Sequence, residues 1–284
     1  MKFGVHVSIA GSLDKAVDRA SNIDCDTFQI FTRNPRGWIA KELLPDNIIS
    51  FKRKVLQTYL SPIFVHVPYL PNLASPDSEM WEKSLNVIKN ELIRCDLLDI
   101  PFIITHLGSP KSAGIDFGIS RVISSLNKIF HEYDGRTIIL LENSTGKNNS
   151  LGKNLLDICK IISQVDFPDF LGVCFDTCHA FASGYDIRQM NIVDSFLDDI
   201  NSSIGLSKLL CIHCNDSLFD LREYRDRHEH LGLGKIGKKG FENLLLNKRT
   251  RDIPFICETP VDDRRNDQGN LDFLRNLAKE LKLK

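Results

Sequence analysis

GVCFDTCHAF, residues 172–181, starts as an apolar run, breaks at Asp176 and places His179 three positions further on. A segment that stays apolar up to its last residue reads as a strand covered on both faces, as in a parallel sheet clad by helices. The pattern Gly172–Asp176 has seven counterparts: Phe3–Val7, Thr27–Phe31, Ile63–His66, Phe102–His106, Ile138–Glu142, Leu209–His213 and Phe255–Glu258. Six of the eight runs end in a residue type that binds divalent metal, namely His66, His106, Glu142, Asp176, His213 and Glu258. These endpoints recur every 35 to 45 residues or so, roughly one strand, loop, helix and loop.

The intervening stretches carry helical periodicity. The clearest runs from Ser78 to Leu98, where Trp81, Leu85, Ile88, Leu92 and Cys95 recur behind an Asp77/Ser78 cap next to Pro76. Weaker patterns cover Leu13–Ser21, Asp46–Leu60, Ile119–Phe130, Leu155–Val165, Ile192–Ile204, Phe241–Asn247 and Leu271–Leu281. Eight strands alternating with eight helices predict an α/β chain folded as a closed (β/α)8 TIM barrel. At 284 residues, one such domain over 1–284 is the expected organisation. The stretch from Asp216 to Lys239 is dense in charge and glycine, and is expected to lie outside the core as a functional insertion.

A net charge of −1 with 26% charged residues excludes binding of polyanions by gross charge, so any phosphate contact has to be local. The eight cysteines fall mostly inside apolar runs and read as reduced core thiols of a cytoplasmic protein. A zinc knuckle from Cys174, Cys178, Cys211 and Cys214 is disfavoured. Strand alternation groups Cys211 with His213 and Cys174 with Asp176, and turns Cys214 toward the helices. The N-terminus lacks the apolar core of a signal peptide and no run reaches the ~18 apolar residues of a membrane span, so a soluble, untargeted protein is expected.

In a barrel, the C-terminal ends of the strands form the catalytic face. One His or Asp there is ordinarily a loop hydrogen-bonder, but six on six strands point to metal. His179, together with Asp226 and His228 from the polar insertion, adds three more ligands, and nine ligands suit three ions. A mixture of imidazole and carboxylate favours Zn2+, with Mn2+ or Fe as substitutes. His131 reads as solvated and His230 as a competitor of His228, while His6, outside the ligand set, reads equally as a residue that supports the site or meets substrate and as a buried, hydrogen-bonded histidine.

Read together, GVHVSIAGSL (4–13), FTRNPRGW (31–38), HVPYLPNLAS (66–75), THLGS (105–109), ENSTG (142–146), GVCFDTCHAFASGYD (172–186), HCNDS (213–217), DRHEHLGLGKIG (226–237) and CETP (257–260) resemble the endonuclease IV family of apurinic/apyrimidinic DNA repair nucleases, within the xylose-isomerase-like barrels. The resemblance implies that His66, His106 and Glu142 hold one zinc, with Glu142 bridging to a second completed by Asp176, His213 and Glu258. It assigns the third zinc to His179, Asp226 and His228. Leu107 and Leu233 depart from the family pattern, where proline and an acidic residue are common.

The implied function is base excision repair. It entails hydrolysis of the phosphodiester 5′ to an abasic site in double-stranded DNA, leaving a 3′-hydroxyl and a 5′-deoxyribose phosphate, and trimming of blocked 3′ ends. Glu258 is the expected residue to orient or deprotonate water, and Glu142 its catalytic partner. By the same resemblance Arg36 and Tyr69 wedge into the DNA stack, with Arg33 beside them; the plain alternative is a solvated arginine and a loop-packing tyrosine. Arg225, Lys235, Lys238 and Lys239 offer further phosphate contacts. A monomer is expected. The main rival is a metal-dependent sugar isomerase, which has no use for a third ligand group. A zinc-stabilised binding module is disfavoured, because structural sites close their coordination.

Overall fold

The computed structural model describes residues 1–283. Eight parallel strands close into a barrel: β1 (Phe3–His6), β2 (Thr27–Ile30), β3 (Ile63–His66), β4 (Phe102–His106), β5 (Ile138–Glu142), β6 (Leu171–Asp176), β7 (Leu209–His213) and β10 (Phe255–Cys257). Strand β10 lies between β7 and β1, and β1 pairs with β2 to complete the ring. The strands are short and β-branched or aromatic, and the helices cover their outer faces.

Strand alternation decides what faces inward. Phe64, Ile104, Leu140, Cys174, Cys211 and Ile256 form a separate cluster inside the barrel, all buried. Each lies two residues before His66, His106, Glu142, Asp176, His213 and Glu258, respectively, so the same inward face carries an apolar plug below and a polar ring above. Gly4 and Thr27 stand in the same relation to His6 on β1 and Gln29 on β2, which completes eight positions around the mouth.

The outer layer consists of α1 (Asp14–Asn22), α2 (Pro45–Leu56), α3 (Ser78–Leu97), α4 (Ile115–Phe130), α5 (Leu155–Gln164), α7 (Met190–Ile204), α8 (Gly237–Leu246) and α9 (Asp267–Glu280). Asp77 caps α3 by accepting a hydrogen bond from Met80 N at 2.7 Å, as the sequence pattern predicts. Two elements go beyond that pattern: the short helix α6 (Thr177–Ser183) and the antiparallel pair β8 (Asp216–Ser217) and β9 (His228–Glu229). Helix α6 leaves no room for periodicity, because it starts on the residue after β6 ends.

The 216–239 stretch is not a wholly solvated insertion. Asp216, Ser217, Glu229 and His230 are buried. The Asp216 carboxylate accepts hydrogen bonds from the amides of Gly232 (2.8 Å), Gly234 (3.1 Å) and Ile236 (2.9 Å), so a charge the sequence would leave in water is satisfied by main chain. A Cβ at Gly234 would stand 2.4 Å from Asp216 Oδ1, which is why this turn requires glycine. All eight cysteines are free and buried, with Cys174 and Cys211 inside the barrel and Cys214 in the outer core. Among the described residues, no helix is long and apolar enough to cross a membrane.

Candidate metal centre

Five strand ends, the residue after β10, helix α6 and the segment that leads into β9 bring nine potential ligands together at the barrel mouth. They fall into three groups whose donor atoms lie within 4.8 Å of one another: His66, His106 and Glu142; Glu142, Asp176, His213 and Glu258; and His179, Asp226 and His228. Glu142 joins the first two. Its Oε2 lies 3.1 Å from His66 Nε2 and 3.4 Å from His106 Nε2, while its Oε1 lies 2.9 Å from His213 Nδ1. The third group adjoins both: His179 Nδ1 is 3.4 Å from Glu142 Oε1, and His228 Nε2 is 3.7 Å from Asp176 Oδ2. Asp226 sits between the two rings of that group, 3.3 Å from His179 Nε2 and 3.5 Å from His228 Nε2.

Main-chain carbonyls fix three of the imidazole tautomers. His66 Nδ1 donates to Val67 O (2.7 Å), His179 Nδ1 to Asn143 O (3.1 Å) and His228 Nδ1 to Glu258 O (3.0 Å), so the neutral form of each ring has Nε2 as its unprotonated nitrogen, the one a metal ion would take. His228 Nε2 is buried without any hydrogen-bond partner, as fits a nitrogen made to bind a cation. Five imidazoles and four carboxylates form a donor set suited to zinc.

Charge within the cluster is mutually compensated. Burial alone would raise the Glu142 carboxyl, but His106 and His213 outweigh it and hold it well below the usual carboxylate range. Burial likewise opposes charge on His179, yet Asp176, Asp226 and Glu142 raise it well above the ordinary histidine value. Burial dominates at His106 and lowers it.

The cluster floors a cleft of about 520 Å³ whose walls include His6, Phe31, Tyr69 and Thr259. Tyr69 is 67% exposed and stands edge-on against Phe31, with ring centroids 5.5 Å apart. Arg36 is exposed on the neighbouring loop, where its N–H donates to Asn34 Oδ1 at 3.0 Å in a tight turn. Arg33 does not join them. It is buried, its Nε donates to Glu91 Oε1 at 2.5 Å, and it braces the loop from below; its reading as a DNA contact is corrected accordingly. His230 is also removed from the ligands, since Nε2 meets Asp262 Oδ1 at 3.1 Å and Nδ1 meets Asn270. His131 is exposed, 3.7 Å from Asp166. Arg225, Lys235, Lys238 and Lys239 each lie beside a carboxylate: Glu223, Asp220, Glu280 and Glu242, respectively.

Sequence reading passes over the residues that hold the ligands in place. Asn215 donates from Nδ2 to Asp176 Oδ2 at 2.7 Å and accepts from Glu258 N at 2.7 Å, so one side chain orients two strand ends. Asn143 accepts from Asp176 N at 2.6 Å and donates to Asp176 O at 3.0 Å. Their only signal is position, one or two residues beyond a candidate ligand.

Residues 17–277 match the family of xylose isomerase-like TIM barrels. The chain is 48% identical to a probable endonuclease 4 of Methanoculleus marisnigri, over 97% of this chain and 98% of the relative, and 43% identical to one of Cenarchaeum symbiosum, over 98% and 100%. Among solved structures, endonuclease IV from Thermus thermophilus superposes with a TM-score of 0.87 at 31% identity, covering 99% of this chain and 100% of that one. A D-tagatose 3-epimerase-like protein has a TM-score of 0.75 at 22% identity, covering 99% and 97%, which is a likeness of fold alone.

Proposed function

This chain belongs to the endonuclease IV family and is an AP endonuclease of DNA repair; we propose that it works with three zinc ions, hydrolysing the phosphodiester 5′ to an abasic site and trimming blocked 3′ ends. The carrying observation is the third group, His179, Asp226 and His228, set against the other two. A sugar isomerase leaves that group unexplained.

In this reading His66, His106 and Glu142 hold one ion, Glu142, Asp176, His213 and Glu258 a second, and His179, Asp226 and His228 a third. When bound, zinc lowers the pKa of coordinated water toward about 7 and offsets charge on phosphoryl oxygens. The protein's own residues do the positioning. Glu142 faces one group with each oxygen and keeps the two at a fixed separation. Glu258 orients water and takes its proton at the carboxylate, whose backbone is anchored by Asn215.

Substrate selection follows from the rim. An abasic nucleotide has no base to stack, so it is the least costly position at which to kink the duplex and swing the sugar into the cleft. Tyr69, propped on Phe31, and Arg36 fill the gap in the stack. Residues 1–284 serve as one catalytic unit, a cytosolic monomer on double-stranded DNA. The test is incision of a duplex carrying one tetrahydrofuran abasic analogue, followed by extension of the product with a polymerase. The reading requires a nick on the 5′ side and an extendable 3′-hydroxyl; an intact strand, or a 3′-blocked end, rejects it.

A further inference from the structure

Eight side chains ring the barrel mouth, and the two that are not candidate ligands, His6 and Gln29, are hydrogen-bonded to each other, while Gln29 also bonds to two of the ligands and His6 Nδ1 stands 3.5 Å from Glu258 Oε1. Gln29 is fully buried. Its Nε2 lies 2.5 Å from Glu258 Oε1 and 2.8 Å from His6 Nδ1, and its Oε1 lies 2.8 Å from His213 Nε2. A carboxylate only accepts, so Glu258 dictates which end of the amide faces it: the NH2 must point to Glu258 and the carbonyl oxygen to His213.

Both ring tautomers then follow. His213 Nε2 has to carry a hydrogen to donate to Gln29 Oε1, so in the neutral ring the unprotonated nitrogen is Nδ1, which lies 2.9 Å from Glu142 Oε1 and 3.4 Å from Glu258 Oε2. His6 Nδ1 has to accept from the amide, so neutral His6 carries its hydrogen on Nε2, and its ring is part of the cleft wall. The flipped amide would set its oxygen against Glu258 and give His213 its hydrogen on Nδ1, where it could not ligate.

His213 is also the exception among the rings. His66, His179 and His228 present Nε2 because a main-chain carbonyl takes the Nδ1 hydrogen, whereas His213 presents Nδ1 because a side chain takes the other one. We propose that Gln29 is a positioning residue: it commits His213 to ligation through Nδ1, and it makes His6 a neutral Nε2–H donor to an anionic substrate oxygen in the cleft. The inference rests on the zinc reading above.

Histidine-selective nitrogen-15 correlation spectra of the zinc-loaded wild type test the assignment directly. The expected result is hydrogen on Nε2 in both His213 and His6; ligation of His213 through Nε2, or a Nδ1–H form of His6, overturns it. Zinc competition with a chelator on Gln29→Met is the second arm, with circular dichroism as the check of folding. One zinc should bind about 10–100-fold more weakly while the others are unchanged, and Gln29→Glu, which keeps the shape but can donate only when protonated, should not restore it. Unchanged affinity for every ion in folded Gln29→Met overturns the proposal. A wild type that binds no zinc instead sinks the metal reading itself, so the two failures are told apart.

Discussion

The Glu258 carbonyl oxygen accepts the Nδ1 hydrogen of His228 at 3.0 Å. The last barrel strand thus serves two ligand groups at once, one through the Glu258 carboxylate and the other through its main chain. Glu258→Gln keeps the main-chain contact and replaces the carboxylate, proposed as both base and ligand, by a neutral amide of the same shape. Incision should fall about 10²–10⁴-fold, the range of a lost general base, while affinity for abasic duplex is retained. Turnover at the wild-type rate would take Glu258 out of proton transfer.

Tyr69 has two-thirds of its surface in solvent and, among the described residues, no hydrogen-bond partner for its side chain, which suits a ring held ready to stack. Tyr69→Ala should weaken binding to abasic duplex by about 1–3 kcal/mol, and Arg36→Ala should weaken it in the same direction, with zinc content unchanged in both. Equal affinities in a gel-shift titration return both residues to the solvent.

Arg33 is tied to Glu91 by a pair with almost no solvent access. Arg33→Met leaves that carboxylate buried with Thr32 as its donor and Arg94 4.0 Å away, so the fold should lose about 3–5 kcal/mol. Urea denaturation measures the loss, and the folded fraction should still bind abasic duplex normally. A stability near wild type together with weakened DNA binding would restore Arg33 as a DNA contact.

The strand ends are legible in the sequence because each strand is apolar up to a single polar terminus. The relation of Phe64 to His66, or of Leu140 to Glu142, is then only strand alternation. Arg33, Gln29 and Asp216 are not legible for a shared reason: each is a polar group buried by partners that no local pattern announces, and for Arg33 and Gln29 those partners are distant in sequence. Glu91 lies 58 residues from Arg33, and His213 lies 184 residues from Gln29. Arginine and aspartate are mostly exposed residue types, so the sequence assigns Arg33 to the loop surface and Asp216 to a solvated insertion. The glycines at 232, 234 and 237 are the one trace of the turn that buries Asp216.

Lys54 clasps α1 to α2 by reaching Asp14 at 2.9 Å and Asp18 more closely still. The hydrogen bond from Lys54, with a second from Ser12, lowers the Asp14 pKa to about 2 from an ordinary value of 3.8. A depressed carboxyl stabilises the fold above its unfolded value and stops doing so as pH falls through the folded one. The stability gap between wild type and Lys54→Met should therefore be level above pH 4 and narrow between about 3.8 and about 2. Denaturation midpoints across that window give the answer, and a gap that widens on acidification contradicts the clasp.

Zinc counted per chain, on the same sample used for incision of the abasic duplex, bears most directly on whether the nine side chains at the barrel mouth form one working centre. Three equivalents should be found, and stripping them with a chelator should abolish nicking until zinc is returned. A single tightly held ion in a preparation that cuts no abasic duplex would contradict the account.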